Sequence, residues 1–121
     1  MKIAIGGHLN QEENEQLVRA AAPDVEVEVT DDMSATMAVQ TGDCDYYLGS
    51  CQTGSGGALA MPIALLGASK CVSVAGPGFV MPEDQIVANV NSGKVAFGFV
   101  PEAAETVIPQ LMAAFAAKEG A

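Results

Sequence analysis

A glycine-rich segment carries the residues of this chain that are best suited to chemistry. Four of the nine residues from Gly49 to Gly57 are glycine, and the apolar residues around this segment predict a strand before it and a helix after it. Backbone N–H groups in such a turn can hold an anion, because the helix dipole adds to their partial charges. We expect a positive φ at one or more of the segment's last three glycines. The predicted ligand-binding residues of the turn are Ser50, Thr53, Gly54, Ser55, Gly56 and Gly57.

Cys51 is the candidate nucleophile or base of this turn. A helix N-terminus lowers the pKa of a nearby thiol, and the thiolate can then take up a proton or form a bond. His8, the one histidine of the sequence, follows the first predicted strand and is the second predicted catalytic residue. Plainer interpretations remain open: Cys51 as a small buried residue, His8 as a solvent-facing turn residue, and the turn as a connection without a ligand.

Residues from other turns should complete the pocket. Gly6 and Gly7 end the first predicted strand, and Gly76 follows the fourth, so all three are predicted to line the site at the same edge of the sheet. Asp31 and Asp32 follow the second strand, where dinucleotide-binding enzymes place a ribose-binding acid. The glycine fingerprint of those enzymes is missing here, so capping of the next helix is the favoured interpretation.

The order of the predicted elements indicates an α/β fold. Five strands alternate with helices, which predicts a single three-layer α/β/α domain over residues 1–121 with a five-stranded parallel sheet. We expect the flavodoxin-like, or Rossmann-like, strand order 2-1-3-4-5, with a ligand at the carboxyl ends of strands one and three. The predicted strands are Lys2–Gly6, Val25–Val29, Asp45–Gly49, Cys71–Ala75 and Val95–Val100.

Composition restricts the expected partners. Five Lys and Arg stand against fifteen Asp and Glu, a net charge of −10, which argues against nucleic acid and anionic membranes. A small anionic metabolite remains compatible, because backbone N–H groups can hold an anion without lysine. The three cysteines form no C-x-x-C pair, and we predict neither a metal nor a cofactor. Without a signal peptide or a membrane span in the pattern, the expected location is cytoplasmic.

The last predicted helix suggests self-association. Its apolar stripe consists of Ala104, Val107, Ile108, Leu111, Met112 and Phe115, and alanines at 113, 114, 116 and 117 cover much of the remaining surface. Apolar surface outside a core is commonly an interface, and symmetric dimers are the commonest assembly. We therefore predict a homo-oligomer, most simply a dimer.

Two segments resemble a known family. Asp45–Leu59 (DYYLGSCQTGSGGAL) and Gly93–Phe99 (GKVAFGF) are similar to the YhfU-like family of small bacterial proteins, a domain of unknown function. The resemblance extends to nearly the whole chain in length and element order. It implies a bacterial cytoplasmic protein and supplies no activity.

A more local resemblance is to the sugar-phosphate isomerases of the ribose-5-phosphate isomerase B type. Lys2–Gly6 is similar to their first strand, and Cys51–Gly56 (CQTGSG) is similar to their C-G-T-G-x-G motif. The resemblance implies that Cys51 is the base that forms an enediolate, whose oxygens are held by the loop of Thr53 and the glycines. The family's later histidine and its phosphate-binding arginines have no counterpart, since Arg19 in the first helix is the one arginine.

Two functions follow as hypotheses. The first is a non-catalytic binding or assembly subunit that holds a small anionic or phosphorylated metabolite at the glycine-rich turn. The alternative is a sugar-phosphate isomerase-like enzyme that uses Cys51 as its proton-abstracting base. The missing histidine and arginines favour the first hypothesis, and the placement of Cys51 favours the second.

Overall fold

The five strands of the main sheet are separated by helices along the chain, as the sequence predicts, and two short strands follow the fourth of them. The computed structural model describes residues 1–120, so the domain predicted over residues 1–121 extends one residue beyond the described range. The strands are β1 (Lys2–Gly7), β2 (Glu26–Val29), β3 (Tyr46–Ser50), β4 (Cys71–Ser73), β5 (Ala75–Gly76), β6 (Phe79–Val80) and β7 (Ala96–Phe99). The helices are α1 (Gln11–Ala21), α2 (Asp32–Gln40), α3 (Gly56–Leu66), α4 (Glu83–Asn91) and α5 (Ala104–Glu119).

Five of the strands form one parallel sheet in the order β2-β1-β3-β7-β4. The predicted α/β/α class with a five-stranded parallel sheet is confirmed, and β2 is the edge strand that its alternating sequence predicts. The predicted order of the last two strands is wrong, because β7 lies between β3 and β4. All residues of β7 are buried, whereas β4 is half-exposed beyond Cys71. The more apolar strand takes the central position, where both faces are covered.

The exchange of the last two strands is consistent with right-handed crossovers. The crossovers through α2 and α3 run in one direction along the sheet, and those through α1 and α4 run in the other direction. If every crossover is right-handed, α2 and α3 lie on one face of the sheet, and α1 and α4 lie on the opposite face. Helices α1 and α4 each contact α5, and α2 contacts α3. Two apolar clusters fill the layers, one on each side of the sheet.

The segment after β4 differs from the predicted strand Cys71–Ala75. The parallel strand ends at Ser73, and β5 pairs with β6 in an antiparallel hairpin, where Gly76 is paired with Phe79. The predicted turn Gly76-Pro77-Gly78 is therefore the connection of a small hairpin that stands at the carboxyl end of the main sheet.

Helix α5 buries the stripe predicted from its sequence. All six predicted positions are at most 5% exposed. The ring of Phe115 stacks on Tyr46 at a centroid distance of 3.8 Å and lies 5.3 Å from the ring of Phe97. Ala113, Ala116 and Ala117 are exposed on the outer side of the helix, and the homodimer expected from this side stays a prediction.

Membrane crossing needs a helix of about 20 apolar residues. Among residues 1–120, every helix falls short of the length and apolarity that this requires.

Candidate functional site

The turn between β3 and α3 is shaped by a close contact with the hairpin. Gly54 has a φ of +77°, which confirms the prediction of a positive φ among the glycines of this segment. A Cβ atom at Gly54 would overlap the carbonyl oxygen of Ala75, so no larger residue fits this backbone position. The N–H of Gly54 also donates to the carbonyl of Cys51 at 3.3 Å. These contacts hold Cys51 at the carboxyl end of β3.

The hydroxyl of Thr53 connects the helix start to the cysteine. Its oxygen accepts hydrogen bonds from the backbone N–H groups of Gly56 at 2.9 Å and Ser55 at 3.4 Å. The same oxygen lies 3.5 Å from Sγ of Cys51. Because the oxygen already accepts from two amides, its own proton is available to the sulfur. Thr53 therefore satisfies two N–H groups of the first turn of α3 and donates toward a thiolate.

Cys51 is 5% exposed and lies among hydrogen-bond donors. Burial raises the pKa of its thiol, but hydrogen bonds from the Thr53 hydroxyl and the N–H groups of Ala58, Thr53 and Gly54 outweigh burial and lower the pKa overall. Burial raises the pKa of the other two cysteines, Cys44 and Cys71. Cys51 is therefore the cysteine whose surroundings stabilise a thiolate.

We expect iodoacetamide to alkylate Cys51 at a rate that is half-maximal below pH ~8.5, the value for a free cysteine. The midpoint shifts to lower pH because a lowered pKa gives more thiolate at each pH. Thr53→Val keeps the shape of the side chain, removes the donor and should move the profile to higher pH. Peptide mass spectrometry measures the rates, with Cys44 and Cys71 as internal references. A wild-type profile centred at or above pH ~8.5 would contradict this expectation.

His8 lies beside Cys51 because the ends of β1 and β3 are joined. The N–H groups of His8 and Leu9 donate to the carbonyl of Ser50 at 3.0 Å and 3.2 Å. A Cβ atom at Gly57 would lie 3.0 Å from Nδ1 of His8 and 3.4 Å from Cβ of Cys51. The missing side chain of Gly57 thus leaves the space between the two predicted catalytic residues open.

These residues surround a cavity of about 410 Å³. It is called the Cys51 cavity below, and its lining residues are His8, Leu9, Cys51, Gln52, Thr53, Gly56 and Gly57. The structure therefore brings together five of the predicted site residues. Leu9 and Gln52 also line the cavity, and their residue types gave no signal of this in the sequence.

Two predicted site residues support the backbone around the cavity. Ser50 is fully buried; its hydroxyl donates to the carbonyl of Leu9 and accepts from Nδ2 of Asn14 at 3.0 Å. Gly6 is covered by the ring of Tyr47, which would lie 2.7 Å from a Cβ atom there. Neither residue is among those that line the cavity.

Three further predicted residues lie nearby. Gly7 lines a second cavity of about 610 Å³, which shares His8 with the first. Ser55 is exposed at the start of α3, and its carbonyl accepts the first intrahelical bond, from Leu59, at 2.8 Å. Gly76 lies in the hairpin, where an added Cβ would approach the carbonyl oxygen of Thr53 to 3.2 Å. Gly76 thus lies against the turn on the side of the hairpin.

Asp32 is the site residue that sequence reasoning missed. The interpretation of helix capping is confirmed for Asp31, whose Oδ1 accepts from the N–H of Ser34 at 2.8 Å. Asp32 instead places Oδ2 at 2.7 Å from Nε2 of His8. The signal was present in the predicted topology, since β2 lies beside β1 and both end at this edge of the sheet.

One group of possible metal ligands lies at the opposite edge of the sheet. Ligand atoms of Glu28, Asp43 and Cys44 fall within 4.8 Å of one another. The ammonium of Lys2 lies 3.6 Å from Glu28 and 3.3 Å from Asp43. This lysine already compensates the two carboxylates, and the group is remote from the Cys51 cavity.

Solved structures with a similar chain path define the class of fold. Type B ribose 5-phosphate isomerase of Trypanosoma brucei superimposes with a TM-score of 0.64 at 16% identity, covering 94% of this chain and 84% of that chain. The corresponding enzyme of Giardia lamblia gives a TM-score of 0.61 at 18% identity, covering 96% and 94%. The isomerase resemblance is therefore confirmed as a likeness of fold, which at this identity does not extend to activity.

The chain belongs to the family described as "Protein of unknown function DUF2620", which matches residues 1–115. It is 40% identical over 112 residues to "Uncharacterized protein YhfU" of Escherichia coli (strain K12), covering 92% of this chain and 95% of that protein. The protein of the same description from Shigella flexneri matches with the same identity and coverage. The YhfU-like resemblance is confirmed, and it brings no activity with it.

Proposed function

We propose that the protein binds a small anionic or phosphorylated metabolite in the Cys51 cavity as a binding or assembly subunit. The observation that carries the proposal is the charge of the lining. Within the described part of the chain, the residues that line this cavity include no Asp or Glu, although the sequence has fifteen. An anion that approaches this acidic protein therefore meets donors rather than carboxylates at this place.

The donors converge from two elements. The first N–H groups of α3 lie at the positive end of its dipole. Those of Ser55 and Gly56 already donate to the Thr53 hydroxyl, and that of Ala58 donates toward Cys51, so the N–H of Gly57 is the backbone donor left for an anion. His8 lies beside Gly57 and supplies an imidazole that donates when it is protonated. A tetrahedral anion between α3 and His8 would receive backbone and side-chain hydrogen bonds together.

We expect inorganic phosphate to shift the amide resonances of Thr53–Gly57 in a saturable titration, because these groups open α3. Gly57→Ala should weaken this binding, since the new Cβ would lie 3.0 Å from Nδ1 and 3.2 Å from Cε1 of His8. Gly120→Ala is the control, because among the described residues an added Cβ after the end of α5 would approach only the carbonyl oxygen of Ala116, at 3.3 Å. Shifts spread over the surface, with none at Thr53–Gly57, would refute the proposal.

The lowered pKa of Cys51 favours a second candidate, an isomerase-like enzyme. A thiolate in this position would take a proton from a hydroxyl-bearing carbon beside a carbonyl group and leave an enediolate. Return of the proton to the former carbonyl carbon, with transfer of the hydroxyl proton to the former carbonyl oxygen, would complete an isomerisation without an external oxidant or reductant. Thr53 and the N–H groups of α3 would stabilise the charge that develops on oxygen. The similar solved structures are ribose 5-phosphate isomerases, which suggests a phosphorylated sugar as the substrate class.

The alkylation profile of Cys51 tests the second candidate. A thiol that titrates near pH ~8.5 supplies little thiolate at neutral pH and leaves binding as the remaining candidate. A clearly lower midpoint, lost in Thr53→Val, meets a requirement of proton transfer and is equally compatible with binding. The phosphate titration is common to both, since either function needs the same anion site.

A further inference from the structure

We propose that Asp32 is a positioning residue that holds the His8 ring with Nδ1 facing the Cys51 cavity. The inference rests on the proposed function. In that function the His8 imidazole is the side-chain donor to the anion, and we assign the orientation of this ring to Asp32. Asp32 is the first residue of α2, whereas His8 follows β1. Both residues line the second cavity, and His8 also lines the first.

The orientation of the ring follows from one short contact. Nε2 of His8 lies 2.7 Å from Oδ2 of Asp32, the separation of a charge-assisted hydrogen bond. A carboxylate accepts and does not donate, so Nε2 carries a proton, and Nδ1 faces the ligand and donates to an anion when the ring is doubly protonated. Nδ1 is the ring nitrogen closest to the space above Gly57. The pair therefore directs the ligand-binding nitrogen toward Cys51.

Asp32 has few other interactions. Helix α2 is capped by Asp31, not by Asp32. Within residues 1–120, Oδ1 of Asp32 is buried without a hydrogen-bond partner, and 17% of the side chain is exposed. A carboxylate in such surroundings is stabilised by a partner that donates a proton or carries positive charge. His8 is that partner, and the His8 side chain, 61% exposed, gains its fixed orientation from the contact.

The sign of a mutational effect distinguishes positioning from simple electrostatics. Asp32 is negative, so its removal should strengthen anion binding if it acts only through its charge. If Asp32 acts through His8, its removal frees the ring and weakens anion binding. The two explanations thus predict changes of opposite sign for the same variant.

The first test compares phosphate affinities. Asp32→Ala should bind inorganic phosphate about tenfold more weakly than the wild type, the size of a charge-assisted hydrogen bond. His8→Gln should show a similar loss, and adding Asp32→Ala to it should cause no further loss. Glu12→Gln, which removes a carboxylate from an exposed position of α1, is the charge control and should not weaken binding. Phosphate binding by Asp32→Ala as tight as wild type, or tighter, would overturn the proposal.

The second test needs no ligand, so it separates this proposal from the proposed function. Because His8 is the one histidine, its long-range ¹H–¹⁵N spectrum is unambiguous. The wild type should show a protonated, slowly exchanging Nε2, and Asp32→Ala should lose this slow exchange. Asp32→Leu, which is similar in size and has no hydrogen-bond acceptor, serves if Asp32→Ala unfolds. Identical histidine spectra in the wild type and the variant would refute the pairing, whereas absence of phosphate binding by the wild type would refute the proposed function.

Discussion

Replacing Gly54 with alanine is expected to lower the free energy of unfolding by about 3 kcal/mol, the largest effect at the site. Two costs combine in this variant. The backbone at Gly54 has a φ of +77°, which costs a residue with a Cβ about 1–2 kcal/mol. The new methyl would also overlap the carbonyl oxygen of Ala75, and a backbone atom cannot turn away as a side chain can.

Gly42→Ala is the matched control for this variant. Gly42 has a φ of +87°, and among the described residues no atom lies within 4 Å of an added Cβ. This variant should therefore show the conformational cost alone, about 1 kcal/mol. Urea unfolding measures both values, and the difference isolates the overlap with the hairpin. Equal losses in the two variants would show that the contact between the turn and the hairpin is not tight.

Phe115→Ala is expected to lower the free energy of unfolding by about 4 kcal/mol. The ring is fully buried, and its loss would leave a cavity beside the sheet. Its stacking on Tyr46 at 3.8 Å and its tilted contact with Phe97 at 5.3 Å would be lost as well, and aromatic pairs stabilise beyond the area that they bury. Thermal and urea unfolding measure the effect.

Phe79→Ala provides the comparison for Phe115. Phe79 is 46% exposed in the hairpin, so its truncation removes the same atoms with little loss of packing. We expect a change below about 1 kcal/mol for this variant. A loss similar to that of Phe115→Ala would mean that Phe79 is covered in solution, for example by a second copy of the chain.

Elements with a strong local pattern were predicted well. The α5 stripe repeats at helical spacing and is buried as predicted, and the helix predicted after the glycine-rich segment is α3, which contains Pro62. The edge position of β2 follows from its alternating Val and Glu. Such patterns are readable because they report burial residue by residue, independently of the rest of the chain.

The arrangement of distant segments was predicted less well. The sequence of β7 is apolar enough for a central strand, yet the expected order placed it at the edge. The predicted fourth strand ends at Ala75 with a turn at Gly76-Pro77-Gly78, whereas Ala75–Gly76 pairs with Phe79–Val80 in a hairpin. The strand order and the hairpin both depend on which strands take the positions of the sheet that helices cover on both faces. A pattern within one segment does not compare that segment with the other strands.

The candidate site shows the same division. The sequence by itself determined that a thiol and an imidazole follow two strands with adjacent ends, and that glycines build the turn between β3 and α3. Only the tertiary structure decided which groups surround them: Thr53 donates toward Cys51, Gly54 meets the hairpin, and Asp32 pairs with His8. The residue types set the chemistry that is available. Their order along the chain places them at the carboxyl edge of the sheet, because parallel strands end at the same edge. The contacts of Gly54 with the hairpin and of Asp32 with His8 join chain segments more than twenty residues apart, and their distances of a few ångströms arise only when the layers pack.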